Sequence, residues 1–146
     1  MSGTEHIFKL FTDSIAHKSD DEIEKEIMES AHWNIKMFIK YVTNLKNFQL
    51  KLLMLAQKGT GKNLQEQKED AEFIGFHKAF SYLSKVNLYV KEHIMDLDLI
   101  NPYDLAYAIQ VTKNYFLNKE DYDKVAFLSE IQTYIENNYV DVSIEE

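Results

Sequence analysis

From Ser19 to Lys58 the chain places apolar side chains at helical spacing with neither Gly nor Pro to interrupt them, and this stretch limits what everything else can fold into. Ser19-Asp20-Asp21-Glu22 has the form of a capping box with extra acid in the first turn. Gly59 and Gly61 follow the far end, where a helix commonly stops. The spacing predicts one unbroken helix, about 55–60 Å long at the usual rise. Ile23, Ile27, Ala31, Ile35, Phe38, Val42, Leu45, Leu52 and Leu53 fall on one stripe of it. Trp33, Met37, Tyr41, Phe48 and Leu55 fall on a second stripe alongside, so apolar groups cover about 200° of the circumference. Only a narrow arc with Lys25, Glu29, Lys36, Lys40, Thr43 and Asn47 has to face water. A helix buried that widely has neighbours on two sides, which makes it the spine of a bundle.

The remaining segments supply the neighbours. Ser2 to Glu5 can cap a short helix bearing Ile7, Phe8, Leu10, Phe11 and Ile15. After the Gly59–Lys62 turn, Asn63 opens a long helix reaching about Leu97, with Phe73, Phe76, Ala79, Phe80, Leu83, Val86, Val90, Ile94 and Leu97 facing inward. The short connection makes it the antiparallel partner of the spine. Asn101-Pro102-Tyr103-Asp104 starts a fourth helix with Pro at its first position and Leu105, Ile109, Thr112 and Phe116 inside. Asn118 to Asp121 starts a fifth, with Tyr122, Val125, Leu128, Ile131 and Ile135 recurring at helical spacing. The expected fold is all-α: about five helices, built on a long central helix paired antiparallel with a second long one. Residues 1–138 form a single domain in this reading, and residues 139–146 an acidic C-terminal tail.

Composition narrows the function classes. There is no Cys, which removes disulfides, thiol nucleophiles and thiolate metal sites. The net charge is −8 and all sixteen basic residues are Lys, so the forked donors that read guanine or grip phosphate are missing. Direct nucleic-acid binding is not expected. Met1 to Glu5 lacks the basic and apolar regions of a secretion signal, and no apolar run reaches the length of a membrane span. The expected location is the cytoplasm.

Motifs for chemistry are sparse. Gly59-Thr60-Gly61-Lys62 lacks the upstream Gly, the following hydroxyl residue and the preceding strand of a phosphate loop. Glu29 and His32 stand at the spacing used by carboxylate-bridged metal bundles, but Glu29 lies in the polar arc and no second pair matches it. These two are the only metal candidates, and no cofactor is expected. His77 and His93 lie near the face and flank of the third helix, where histidine is ordinarily structural. Asn34, Gln49 and Asn87 fall inside buried arcs, where amides fix register by pairing with one another or with the backbone.

The function this points to is a non-enzymatic protein–protein interaction module. Such a chain is compatible with a phage or mobile-element accessory or inhibitor factor. A ligand- or metal-binding bundle and an acidic decoy of a nucleic-acid-binding protein are the alternatives. The shorter helices cannot cover the whole spine, so the stripe of Trp33, Met37, Tyr41 and Phe48 is the expected interface, and an antiparallel homodimer along it follows.

Overall fold

A helical hairpin is the frame of the structure. The computed structural model describes residues 19–59 and 64–138, and every regular element among them is a helix. In order they are α1 (Asp20–Glu29), α2 (Ala31–Gln57), α3 (Leu64–Leu83), α4 (Lys91–Asp98), α5 (Pro102–Asn118) and α6 (Tyr122–Asn138). The expected first helix, residues 60–63 and the tail at 139–146 lie outside the described residues.

Three contacts set the direction of the hairpin. Tyr41 stacks on Tyr82 with centroids 5.5 Å apart, and Gln49 donates to Glu72 at 2.8 Å. Between them Leu45 lies against Gly75, where an added Cβ would sit 3.1 Å from the leucine methyls. Residue numbers climb along α2 as they fall along α3, so the pair is antiparallel as expected. Gly75 is what lets the two backbones come this close.

The spine itself is broken once. Ser30 leaves the helical region with ψ 145° and divides the expected helix into α1 and α2. Its hydroxyl accepts from the Trp33 N–H at 3.1 Å and donates to the Ile27 carbonyl at 2.8 Å. The fully buried Asn34 amide donates to the Met28 and Ser30 carbonyls at 3.1 and 2.8 Å. From α4, Asp96 accepts the His32 N–H at 3.2 Å. Ends of helices leave backbone groups without partners, and here side chains from both sides of the break supply them.

The second long helix is also shorter than the spacing predicts. It ends at Leu83, and residues 84–90 form a turn before α4. Ser81 and Ser84 hydroxyls donate to carbonyls three residues back, at 2.6 and 2.9 Å, competing with the helix's own pattern. Asn87, expected in a buried arc, is exposed: its carbonyl oxygen accepts from the Tyr89 N–H at 2.9 Å and its own N–H donates to His93 Nδ1 at 2.8 Å. The apolar period ran on because Val86 and Leu97 are still buried, one from the turn and one from α4.

The core is built by residues of α2 to α6. Ile35, Phe38 and Val42 of α2 pack with Leu83, Leu105, Ile109, Phe116, Leu128, Ile131 and Ile135. Burying each such side chain contributes about 1.5–3 kcal/mol. The expected inner face of α5 is buried throughout: Leu105, Ile109, Thr112 and Phe116. Asn101 caps that helix, accepting from the Tyr103 and Asp104 N–H groups at 2.9 and 3.3 Å, with Pro102 in the first turn. The Thr112 hydroxyl is satisfied by donating to the Ala108 carbonyl at 2.7 Å. A side-chain ladder fixes α5 against α6: Lys113 donates to Gln132 at 2.8 Å, and Gln132 donates to Gln110 at 2.7 Å.

Lengths decide what stays uncovered. α2 has 27 residues, α5 and α6 17 each, or about 40 Å against 25 Å. Past Leu45 only Leu52 of α2 is buried, and before Phe76 no residue of α3 is. Among the described residues, the far half of the hairpin is a two-helix arm.

Candidate protein-binding surface

The outer face of α2 follows from its helical spacing. Trp33, Met37, Lys40, Tyr41, Phe48, Lys51, Leu55 and Lys58 recur at steps of three and four, with Tyr41, Phe48 and Leu55 one heptad apart. Buried residues such as Ile35, Phe38, Val42 and Leu45 lie on the other side. Trp33, Met37 and Tyr41 are half-buried, while Phe48 and Leu55 are 39% and 38% exposed. The stripe divides in two. Its first part borders the folded core, with Tyr41 already engaged by Tyr82. Its second part lies on the arm.

The arm is apolar beyond this stripe. Leu50, Leu53 and Met54 of α2 and Ile74 of α3 are all more than half exposed. A groove of about 530 Å³ runs between the two helices, floored by Leu52, Ala56 and Leu64 and edged by Lys46, Lys68 and Glu72. Among the described residues, no helix is long and apolar enough to cross a membrane.

Charge is segregated along the chain. α1 carries Asp20, Asp21, Glu22, Glu24, Glu26 and Glu29 against a single Lys25, and buries no residue. α2 carries Lys36, Lys40, Lys46 and Lys51 and no acid, with Lys58 at its end. None of these five lysines pairs with a carboxylate among the described residues. The expectation of one unbroken helix from Ser19 to Lys58 drew no boundary between the two segments. The signal was the order of acids and lysines on either side of Ser30.

The metal candidates do not share a helical face, because Glu29 ends α1 and His32 belongs to α2. Glu29 is exposed and 4.0 Å from Lys25. Among the described residues no three His, Asp or Glu side chains gather as a metal site would require. His32 Nδ1 and Asn34 Oδ1 are buried without hydrogen-bond partners beside the break.

The perturbed titratable groups collect elsewhere, where α3 meets α5 and α6. His77 lies 4.4 Å from the Phe73 ring and edge-on to Phe116 at 5.2 Å. Burial lowers its pKa, the Lys124 charge lowers it further, and Asp121 opposes them. Lys124 sits 5.5 and 5.6 Å above Phe80 and Phe116 and 2.8 Å from Asp121. The hydrogen bond from Lys124 holds the Asp121 carboxyl below its usual range. Burial, aided by Glu72, raises Tyr115. The amide of the third inward residue, Gln49, is half-buried and bonded to Glu72 on the hairpin. With an aromatic ring on each side and its charge disfavoured, His77 behaves as a packing residue of this junction.

Compared with known proteins, the chain matches no family model, no curated protein and no solved structure.

Proposed function

We propose that the protein works by binding another protein along the outer face of α2. The observation supporting this is the arm: among the described residues, α2 continues past the helices that could cover it while keeping Phe48 and Leu55 of that face exposed, with Met54 beside them. Apolar surface of this extent is costly to leave in water and ordinarily marks an interface. Aromatic groups and Met at its centre with Lys around it match the composition of such surfaces. The test is affinity capture with the full chain and with a Met37→Glu, Phe48→Glu variant. Tyr122→Lys, at a 62% exposed site at the start of α6, is the control. Partners retained by wild type and control but lost by the stripe variant bear the proposal out. An identical set captured by all three overturns it.

A second reading, ligand binding, draws on the groove edged by Lys46 and Lys68 with its leucine floor. Such a groove suits an apolar molecule with an acidic end. Thermal stabilisation by fatty acids, lost in Lys46→Glu, would carry that reading.

A further inference from the structure

We propose that the partner on the outer face of α2 is a second copy of this chain, the acidic α1 of each copy lying along the lysine-bearing far end of the other's α2. This rests on the reading of that face as a protein-binding surface.

The charge pattern carries the argument. Each chain holds an acidic helix and a lysine helix joined end to end by Ser30. A one-residue link keeps α1 at the start of α2, while Lys51 and Lys58 lie about 30–40 Å further along. The two cannot meet within one molecule. Another copy brings them together without any new surface.

Both halves of the contact are also apolar. α1 leaves Ile27 and Met28 half exposed, and these with Ile23 and Trp33 line a notch of about 340 Å³. The far end of α2 offers Leu55 and Met54 beside Lys51 and Lys58. Opposite charge flanks apolar side chains on each side, which gives both attraction and register.

Symmetry then supplies the geometry. The two halves of a two-fold interface use the same surface, so every contact occurs twice. An antiparallel α2 pair centred at the level of Ile39 sets Met37 of one copy beside Tyr41 of the other. The equal rise in both helices carries the Lys51–Lys58 end of each past the Ser30 break of the other, where α1 stands. An acidic nucleic-acid mimic would use α1 alone. A phosphate backbone would meet the lysines but leave Phe48, Met54 and Leu55 without apolar partners.

Light scattering on the full chain at high micromolar concentration tests this. Wild type should give twice the chain mass of 17.2 kDa, falling toward the single mass as salt screens the charges. Lys51→Glu with Lys58→Glu should be monomeric, and so should Asp21→Lys with Glu24→Lys. Mixed in equal amounts, these two variants should restore the dimer mass, because the unchanged acidic α1 of the first then meets the unchanged lysines of the second, and the reversed positions 21 and 24 meet the reversed positions 51 and 58. Circular dichroism checks that both remain helical. If either unfolds, the absence of Cys in the natural chain permits a second test: Glu24→Cys mixed with Lys51→Cys should give a disulfide-linked heterodimer. A monomeric wild type overturns the second-copy proposal, as does a dimer indifferent to both charge reversals or a Cys pair that does not cross-link. The protein-binding reading would still stand if the stripe variant lost captured partners, and would fall with it only if capture were also unchanged.

Discussion

Asp96 accepts the backbone N–H of His32 at 3.2 Å across 64 residues of sequence. A carboxylate at the start of a helix satisfies an orphan donor and complements the helix dipole. Here the carboxylate comes from α4, so the bond also ties that short helix to the point where the spine breaks. Removing it with Asp96→Ala should cost about 0.5–2 kcal/mol, the range found for helix caps. Ser30→Ala removes the cap at the same end and should cost a similar amount. Urea denaturation of the two single variants and the double variant should show that their effects do not simply add, because both serve one helix start. Strict additivity would mean that Asp96 acts on α4 alone.

The break explains where sequence reading succeeded and where it did not. Ser30 has helical apolar spacing on both sides, and that spacing does not distinguish it from a serine inside one long helix. What stops the helix there is Asn34 bonding back to Met28 and Ser30, and Asp96 arriving from α4. The first is a short-range clue that the buried position of Asn34 hinted at. The second is tertiary and invisible in a single sequence. The end of α3 was hidden for a related reason: Val86 and Leu97 keep the helical period although they are buried from a turn and a separate helix. By contrast, Asn101-Pro102 marked α5 correctly, because a side-chain cap and a fixed Pro dihedral act locally. The outer stripe of α2 was legible from spacing. The separation of acids on α1 from lysines on α2 was not, since one continuous helix would have put both on the same rod.

Asn34 offers a sharper test of the break. It is fully buried and donates twice to backbone carbonyls, while its carbonyl oxygen has no partner. Asn34→Ala takes its donor from the Met28 carbonyl, while the Ser30 carbonyl keeps the backbone N–H of residue 34 at 3.1 Å; with the void left in the core, it should cost about 2–4 kcal/mol. Asn34→Leu fills the volume yet still leaves the Met28 carbonyl without that donor, so it should recover only part of the loss. Full recovery by Leu would show that packing, not hydrogen bonding, is what the site requires.

Glu120 is a residue out of its preferred conformation. It closes α5 with φ 59°, and the next N–H, of Asp121, reaches back to the Phe116 carbonyl at 3.0 Å. This is the left-handed helix ending that glycine usually occupies. A side chain there costs about 1 kcal/mol. Glu120→Gly should therefore raise stability by about 0.5–1 kcal/mol, read as a higher urea midpoint with an unchanged slope. No change or a loss would mean that the Glu120 side chain compensates for its backbone.

His77 sets a pH dependence. Burial and Lys124 hold its pKa below the ordinary histidine value in the folded protein. The unfolded chain therefore binds a proton there at a higher pH than the folded one does. Stability from this group is complete above the unfolded value and declines as pH falls through and below it. Asp121, whose pKa is lowered by Lys124, gives the same sign, but over the lower carboxylate range. Thermal melts should thus show a first loss of stability on acidification below about pH 6.5. His77→Gln should remove that step and leave the one at lower pH. If the variant follows the wild-type curve in the upper range, His77 is not its source.

Local stability should fall along α2 from the core to the arm. Phe38 and Val42 are buried in the core on the part of α2 that packs against α3, α4 and α5, and opening them requires disrupting that core. Beyond Leu45, among the described residues, the helix is supported by α3, with Leu52 as its only buried side chain and Gln49–Glu72 as a cross-link. Segments with few buried contacts open at lower free energy than the global unfolding of the domain. Amide exchange at low protein concentration should therefore be slowest near Phe38 and grow faster toward Met54. The same gradient should appear from Leu83 back toward Leu64 on α3, because the two helices of the arm support each other. Gly75→Val should steepen it. The added methyls meet Leu45 at the base of the arm, and overpacking of this kind costs about 1–3 kcal/mol. Fast exchange would then spread from the arm toward Tyr41 while α5 and α6 changed little. Uniform protection along α2 would mean that the arm and the core open together, and that the hairpin beyond Leu45 is held by more than α3.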